Sequence, residues 1–241
     1  MRVTHLWRYP FKSMRGEALT ATRMELGGIA FDRRFAFRDD TPGSTRLGKL
    51  ETARQHLAML GYAACVVDGS VVIATPDGSR LAVTDPALAA RVSAETGSRL
   101  TVTEDPSGGN HDDADVLVIN AASVAKLASE WGGDVDPRRF RPNVLVAGDE
   151  PFQEEAWVGR YMKIGEATLK VVKPCIRCVL TTVEPETLSV DPSFLKVIAQ
   201  KHNASFGVYA KVVEPGAVRV GDDLAVTEGQ NVPDQVNGVK V

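Results

Sequence analysis

The chain is 241 residues long, enough to bury one large core or two smaller ones. Its 28 basic and 31 acidic residues leave a net charge of −3, without the basic excess of a general nucleic-acid or membrane-surface binder. No apolar run is long enough to cross a bilayer, and three cysteines, an odd number, do not make a disulfide framework; the expected compartment is a reducing cytoplasm.

The first residues enter strand-like alternation at once, without a signal peptide's apolar segment. Tyr9-Pro10-Phe11-Lys12-Ser13 ends this strand. Lys12 there is either simply exposed or, with Ser13, points into a cleft. Gly27-Gly28 turns the chain toward Asp32-Arg33-Arg34-Phe35, the entry to another strand. If that strand alternates, Arg33 and Arg34 face opposite ways, and the inward one needs a partner. Thr52-Ala53-Arg54-Gln55 adds a further cation before the next strand. Asp68-Gly69 joins 62–67 to 71–75 as a hairpin, and Pro76-Asp77-Gly78 turns again before 80–83. Asp85-Pro86 opens a helix that Gly97 closes.

The turn-rich stretch from Asp105 to Asn110 is the best internal linker. It divides the chain into 1–105, rich in hairpins, and 106–228, with 229–241 as a flexible polar tail. A second helix begins at Asn120 or Ala121, with Val124, Leu127, Ala128 and Trp131 on one face and Gly132 after them. Arg138, Arg139 and Arg141 crowd ahead of the apolar run 144–146. Most such triplets are solvated loops. The alternative is an anion site, with a planar fork from Arg141 and Asn143 to donate and accept. Gly165-Glu166 separates two strands, and Asp191-Pro192 starts a third helix with Leu195, Ile198, Ala199 and His202 as its stripe. Residues 218–220 and 223–226 read as a last strand pair around Gly221-Asp222. Strands outnumber helices without regular alternation, so the fold class is mainly β with a few helices (α+β), rich in barrel rather than doubly wound.

Two of the three cysteines sit in Lys173-Pro174-Cys175-Ile176-Arg177-Cys178. Cys178 opens the β-branched run 179–183, which reads as a strand. Lys173 and Arg177 favour a thiolate there, the form that attacks electrophiles or binds metals. Zinc needs about four ligands, and His5, His56, His111 and His202 are single and scattered. A thioredoxin-like pair opens a helix, not a strand. A buried pair of inert thiols is the plain default, against which the flanking cations argue. The chain lacks a Gly-x-x-x-x-Gly-Lys loop, a Gly-x-Ser-x-Gly turn and a His-Glu-x-x-His helix, which disfavours nucleotide hydrolases, esterases and zinc proteases.

In order, Tyr-Pro-Phe-Lys-Ser at 9–13, Asp-Arg-Arg-Phe at 32–35, Thr-Ala-Arg-Gln at 52–55, Phe-Arg-Pro-Asn at 140–143 and Cys-Ile-Arg-Cys-Val-Leu-Thr-Thr-Val-Glu-Pro-Glu-Thr at 175–187 resemble a two-part MOSC protein. The likeness runs from residue 2 to about residue 227. It implies an N-terminal MOSC β-barrel domain packed on a MOSC β-barrel domain. The family includes the C-terminal part of molybdenum cofactor sulfurases, bacterial MOSC reductases and the mitochondrial amidoxime-reducing component. The resemblance implies a molybdenum cofactor, with Cys178 as the metal's protein ligand and catalytic residue. It implies that Lys12, Ser13, Arg33, Arg141, Asn143 and Arg177 hold the pterin. The activity implied is reduction of small N-hydroxylated compounds, with no stable nucleic-acid or membrane partner. Electrons are expected from a separate protein, because no cysteines remain for an iron–sulfur cluster. The alternative is a cofactor or sulfur carrier without reductase activity. The family's distant link to pyridoxal phosphate sulfurases comes with an aminotransferase-like half that has no room here. Two departures stand out. Where the family often has Thr, Ser or Asp before an Ala-Ser, this chain has Asn120-Ala121-Ala122-Ser123, so any proton delivery there falls to Asn120. An insertion at Thr41-Pro42-Gly43-Ser44 lengthens the loop before Thr52.

Overall fold

The first strand does not stay with the first half of the chain. In the computed structural model, which describes residues 1–107 and 110–228, Arg2–Arg8 lies between Val144–Ala147 and Glu17–Leu19, antiparallel to both. These strands belong to a curled, half-barrel sheet of eight. Its order is Leu224–Thr227, Tyr161–Ile164, Ala167–Ile176, Ser205–Glu214, Val116–Asn120, Val144–Ala147, Arg2–Arg8 and Glu17–Leu19. Only Val116–Asn120 and Val144–Ala147 run parallel, because a helix crosses over between them.

Three α-helices occur among the described residues: α1 (Pro86–Thr96), α2 (Ala121–Trp131) and α3 (Pro192–Lys201). Each starts where the sequence places an N-cap. The side chains of Asp85, Asn120 and Asp191 accept from the backbone N–H of Ala87, Ala122 and Ser193. Gly97 and Gly132 end the first two in the left-handed conformation, at φ 70° and 89°.

The unbroken run Val116-Leu117-Val118-Ile119 is a strand with two buried faces. Val116 and Val118 join Val3, Val144, Leu169 and Val208 in the barrel core. Leu117 and Ile119 pack on the other face with Leu127 of α2, Phe194 and Ile198 of α3, Phe140 and Phe206. A second core holds the first half, where Phe11, Met14, Phe37, Tyr62, Ile73 and Leu88 pack between two three-stranded sheets and α1. The whole is mainly β with a few helices, as the sequence leads one to expect.

The expected last strand pair is not one. Gly216–Arg219 pairs with Ala21–Glu25, while Leu224–Thr227 pairs with Tyr161–Ile164. The carboxylate of Asp222 accepts from Arg219 N at 2.8 Å and turns the chain from one sheet to the other. The expected tail, 229–241, lies outside the described residues. No helix among those described is long and apolar enough to cross a membrane.

Candidate functional site

Lys12, Ser13, Arg33, Arg141, Asn143, Arg177 and Cys178 all line one cleft between the two halves, together with Arg54, His111, Asp112, Arg139 and Cys175. The fold brings them together through a knot of buried polar contacts. Asp32, 3% exposed, accepts from Tyr9 N at 2.6 Å and Asn143 Nδ2 at 3.0 Å, and holds the Arg33 guanidinium. Arg33 also donates to Asn143 Oδ1 and to Arg141 O, each at 3.2 Å. The remaining capacity of the Asn143 amide goes to Leu117 N and Trp7 O. Asn143 is therefore the tie between the first strand, the central strand and Arg33. Arg33 itself is in a turn, not a strand, at φ 47°. It still points inward, while Arg34 faces out to Glu104 at 2.6 Å.

The Lys12–Ser13 corner forms because the chain doubles back after the first strand. Lys12 N donates to Phe35 O at 2.7 Å, and Ser13 takes φ 69°. Gly16 then passes so close to the first strand that a Cβ there would overlap Arg8 O and sit 2.6 Å from the Tyr9 ring. The lysine ends 9% exposed, and burial lowers its pKa against the pull of Asp112.

The thiols are arranged differently from the sequence expectation. The strand Ala167–Ile176 ends before Cys178, and Val179–Thr182 is a 3-10 helix. Thr181 and Thr182 return their hydroxyls to Cys178 O at 2.9 Å and Val179 O at 2.7 Å. These local bonds overrule the β propensity of the run. Neither flanking cation serves Cys178. Lys173 turns to the surface and pairs with Asp113 at 2.6 Å. Arg177 places Nη1 2.7 Å from the sulfur of Cys175, which is 1% exposed. Tyr209 also lines the cleft, and burial together with Cys175 holds its phenol well above the ordinary range. The cation at Cys178 is Arg54. Burial works against the charge on Arg54, but the neighbouring Cys178 and the bonded Asp112 hold its pKa above the ordinary value.

Two residues of the cleft escaped the sequence reading. Asp112 holds Lys12 and, at 2.8 Å, Arg54. Burial acts to raise its carboxyl, yet Lys12, Arg54 and Arg33 bring it down to about 2. His111 has its Nδ1 3.9 Å from Asp32 Oδ2 and its Nε2 buried without a partner. Burial, with Arg33 and Lys12, pushes its imidazole down to about 4. The one available signal was a His-Asp pair just ahead of a strand, directly after what reads as a linker. Asn120, by contrast, lies outside the cleft. Its Oδ1 accepts from Ala122 N and Gly148 N, and its Nδ2 donates to Glu150 O.

Charge is the dominant property of the cleft. Six cationic side chains line it against one carboxylate, Asp112, with Asp32 behind Arg33. The Nε atoms of Arg139 and Arg177 are buried with no partner. Arg141 donates to Met14 O at 2.7 Å and lies 4.4 Å over the Tyr9 ring, but it has no carboxylate partner among the described residues. Burial and the neighbouring Arg33 push its guanidinium down to about 10. Such a surplus of desolvated cations favours a guest of opposite charge. Next to it stand two thiols, soft donors for a metal.

Comparison with known proteins agrees with this architecture. Residues 105–225 match the family model of the MOSC domain, and residues 1–125 match that of the MOSC N-terminal beta barrel domain. Over 128 residues the chain is 32% identical to mitochondrial amidoxime-reducing component 1 of Homo sapiens, covering 47% of this chain and 37% of that protein. Component 2 of Rattus norvegicus is 35% identical over 128 residues, with the same coverage of 47% and 37%. The aligned stretch thus spans little more than a third of these relatives. The YuaD protein from Bacillus subtilis shares the fold, with a TM-score of 0.53 and 15% identity over 95% of this chain and 96% of that one. With both family models spanning its halves, and a barrel joined to a half-barrel sheet around the cation cleft, the chain belongs to the MOSC family.

Proposed function

We propose that the cleft holds a molybdenum pyranopterin cofactor and that the protein is an oxidoreductase acting on N-hydroxylated organic compounds. One observation carries the reading: a half-buried guanidinium, Arg141, stands beside Arg33 with no carboxylate partner among the described residues. A pterin phosphate and a dithiolene supply the missing negative charge. Cys178 is the ligand this chain offers to the metal, with Arg54 as the cation beside it. Lys12, Ser13, Arg33, Arg141 and Arg177 bind the pterin and its phosphate, while Asn143 keeps Arg33 in place. As it stands the cleft is narrow, about 80 Å³, with Asp112 occupying Lys12 and Arg54, so the cofactor enters only when Asp112 gives up those cations and the cleft widens. When bound, the cofactor supplies two-electron removal of oxygen from nitrogen. The mitochondrial relatives are named for amidoxime reduction, which supports the substrate class. A separate electron-donor protein completes this reading, as Cys65 and Cys175 lie apart, one in a hairpin of the first half and one buried in the cleft.

The test is protein made in molybdenum-replete cells, assayed for metal and then for reduction of benzamidoxime by a low-potential artificial donor. The expected result is turnover that Cys178→Ala lacks. Metal in the wild type with no turnover above the variant would replace the reductase reading with that of a cofactor carrier.

A further inference from the structure

A second cavity, about 250 Å³, adjoins the cleft, and Arg139, Arg141 and Leu180 line both. Its character is different. Trp7, Leu60, Ala63, Val183 and Leu188 give it apolar walls. Tyr9 lines this cavity and not the cleft. At the rim, Glu186 is already shared by Arg138 at 2.6 Å and Arg15 at 3.6 Å.

Three buried polar atoms on lining residues have no partner: the Tyr9 hydroxyl, Arg15 Nε and Arg139 Nε. Tyr9 is 4% exposed and Arg139 7%. An unsatisfied buried polar group costs about 1–3 kcal/mol, so three around one cavity are not an ordinary feature of a native core. Each can donate. Four arginines line the cavity against the single carboxylate of Glu186, so a cationic guest is opposed by charge. The volume lies just under the usual range of small-molecule sites, about 300–1,000 Å³, which limits a guest to about one ring.

We propose that this cavity binds a small aromatic carboxylate, its ring against Trp7 and the leucines and its carboxylate on the wall that carries Tyr9 and the surplus arginines. The apolar walls, Tyr9 and Arg15 belong to this cavity alone, while Arg139, Arg141 and Leu180 are shared with the cleft. A bound ring would lie one layer of side chains, Arg139, Arg141 and Leu180, from the thiols' cleft.

Calorimetric titration of the unloaded protein with benzoate and with benzamidine tests the inference. Benzoate should bind and the cation benzamidine should not. Tyr9→Phe, which keeps the ring but removes the hydroxyl, should weaken benzoate about two- to tenfold, as expected for one hydrogen bond. Ala63→Leu, which fills the wall, should weaken it more. Saturating inorganic phosphate, which has no ring to place against the apolar walls, should not displace benzoate. The inference falls if benzoate does not bind at millimolar concentration, if benzamidine binds equally well, if phosphate displaces benzoate, or if both variants bind it as the wild type does.

Discussion

His111 makes the protein acid-sensitive in a way that one substitution should remove. Its side chain is 10% exposed, and burial, Arg33 and Lys12 together outweigh Asp32 and Asp112 in opposing a proton on the ring. The folded imidazole titrates near 4, against 6.5 in the unfolded chain. The unfolded chain therefore takes up the proton first as pH falls. The contribution of neutral His111 is complete above pH 6.5 and declines by about 1.4 kcal/mol per pH unit below it. The loss reaches about 2 kcal/mol at pH 5 and ends near pH 4 at about 3 kcal/mol. Urea unfolding of wild type and His111→Gln at pH 7.5 and pH 5.0 measures it. The wild type should lose about 2 kcal/mol more than the variant between the two pH values. A proton NMR titration gives a second readout, since phosphate in the cleft offsets Arg33 and Lys12 and should move the His111 midpoint upward. Equal acid sensitivity in the two proteins, or a His111 midpoint at or above 6.5, would refute the reasoning.

Cys178→Ala should abolish molybdenum retention, and Cys175→Ala should reduce it less, as read from metal content per protein; equal retention in Cys178→Ala rules Cys178 out as the ligand. The double variant Lys12→Ala, Arg141→Ala should stay folded and lose pterin, each contact being worth about 1.5–3 kcal/mol or roughly ten- to hundredfold in affinity. Pterin fluorescence after oxidation measures the occupancy, and a wild-type level would move the cofactor elsewhere. Gly16→Ala should lower stability by about 1–3 kcal/mol, because the new methyl meets Arg8 O and the Tyr9 ring. An unchanged urea midpoint would show that this corner yields freely.

Local signals were legible in the sequence and long-range ones were not. The three helices stand where Asp85, Asn120 and Asp191 cap them, because a cap is settled within a few residues. Arg54 was visible as an extra cation, but its place at Cys178 joins residues 124 positions apart, which no local pattern records. Lys173 and Arg177 looked like the partners of Cys178 only because they are its neighbours in sequence. In space, Lys173 leaves for the surface and Arg177 reaches back to Cys175. The run 179–183 misled for a related reason: threonine favours strands on average, yet here both hydroxyls close a tight turn. The motif residues of the cleft were assembled through family resemblance, since spacing alone gives no reason for Lys12, Arg33 and Arg141 to meet.

The placement of the first strand also sets an order of events during synthesis. Thr4 Oγ1 bonds Leu145 O across 141 positions, and the amino group of Met1 bonds Leu224 O across 223. As the chain emerges from the ribosome, Arg2–Arg8 finds only the short strand Glu17–Leu19 to pair with. Its other neighbour, Val144–Ala147, is made more than a hundred residues later. Until then one edge of the first strand carries unpaired backbone groups, the kind of edge that recruits foreign strands. Contacts of this separation also slow folding, since a long loop must close before they form. Aggregation during expression should therefore track the time needed to reach residue 147, and slowing translation beyond that point should do little.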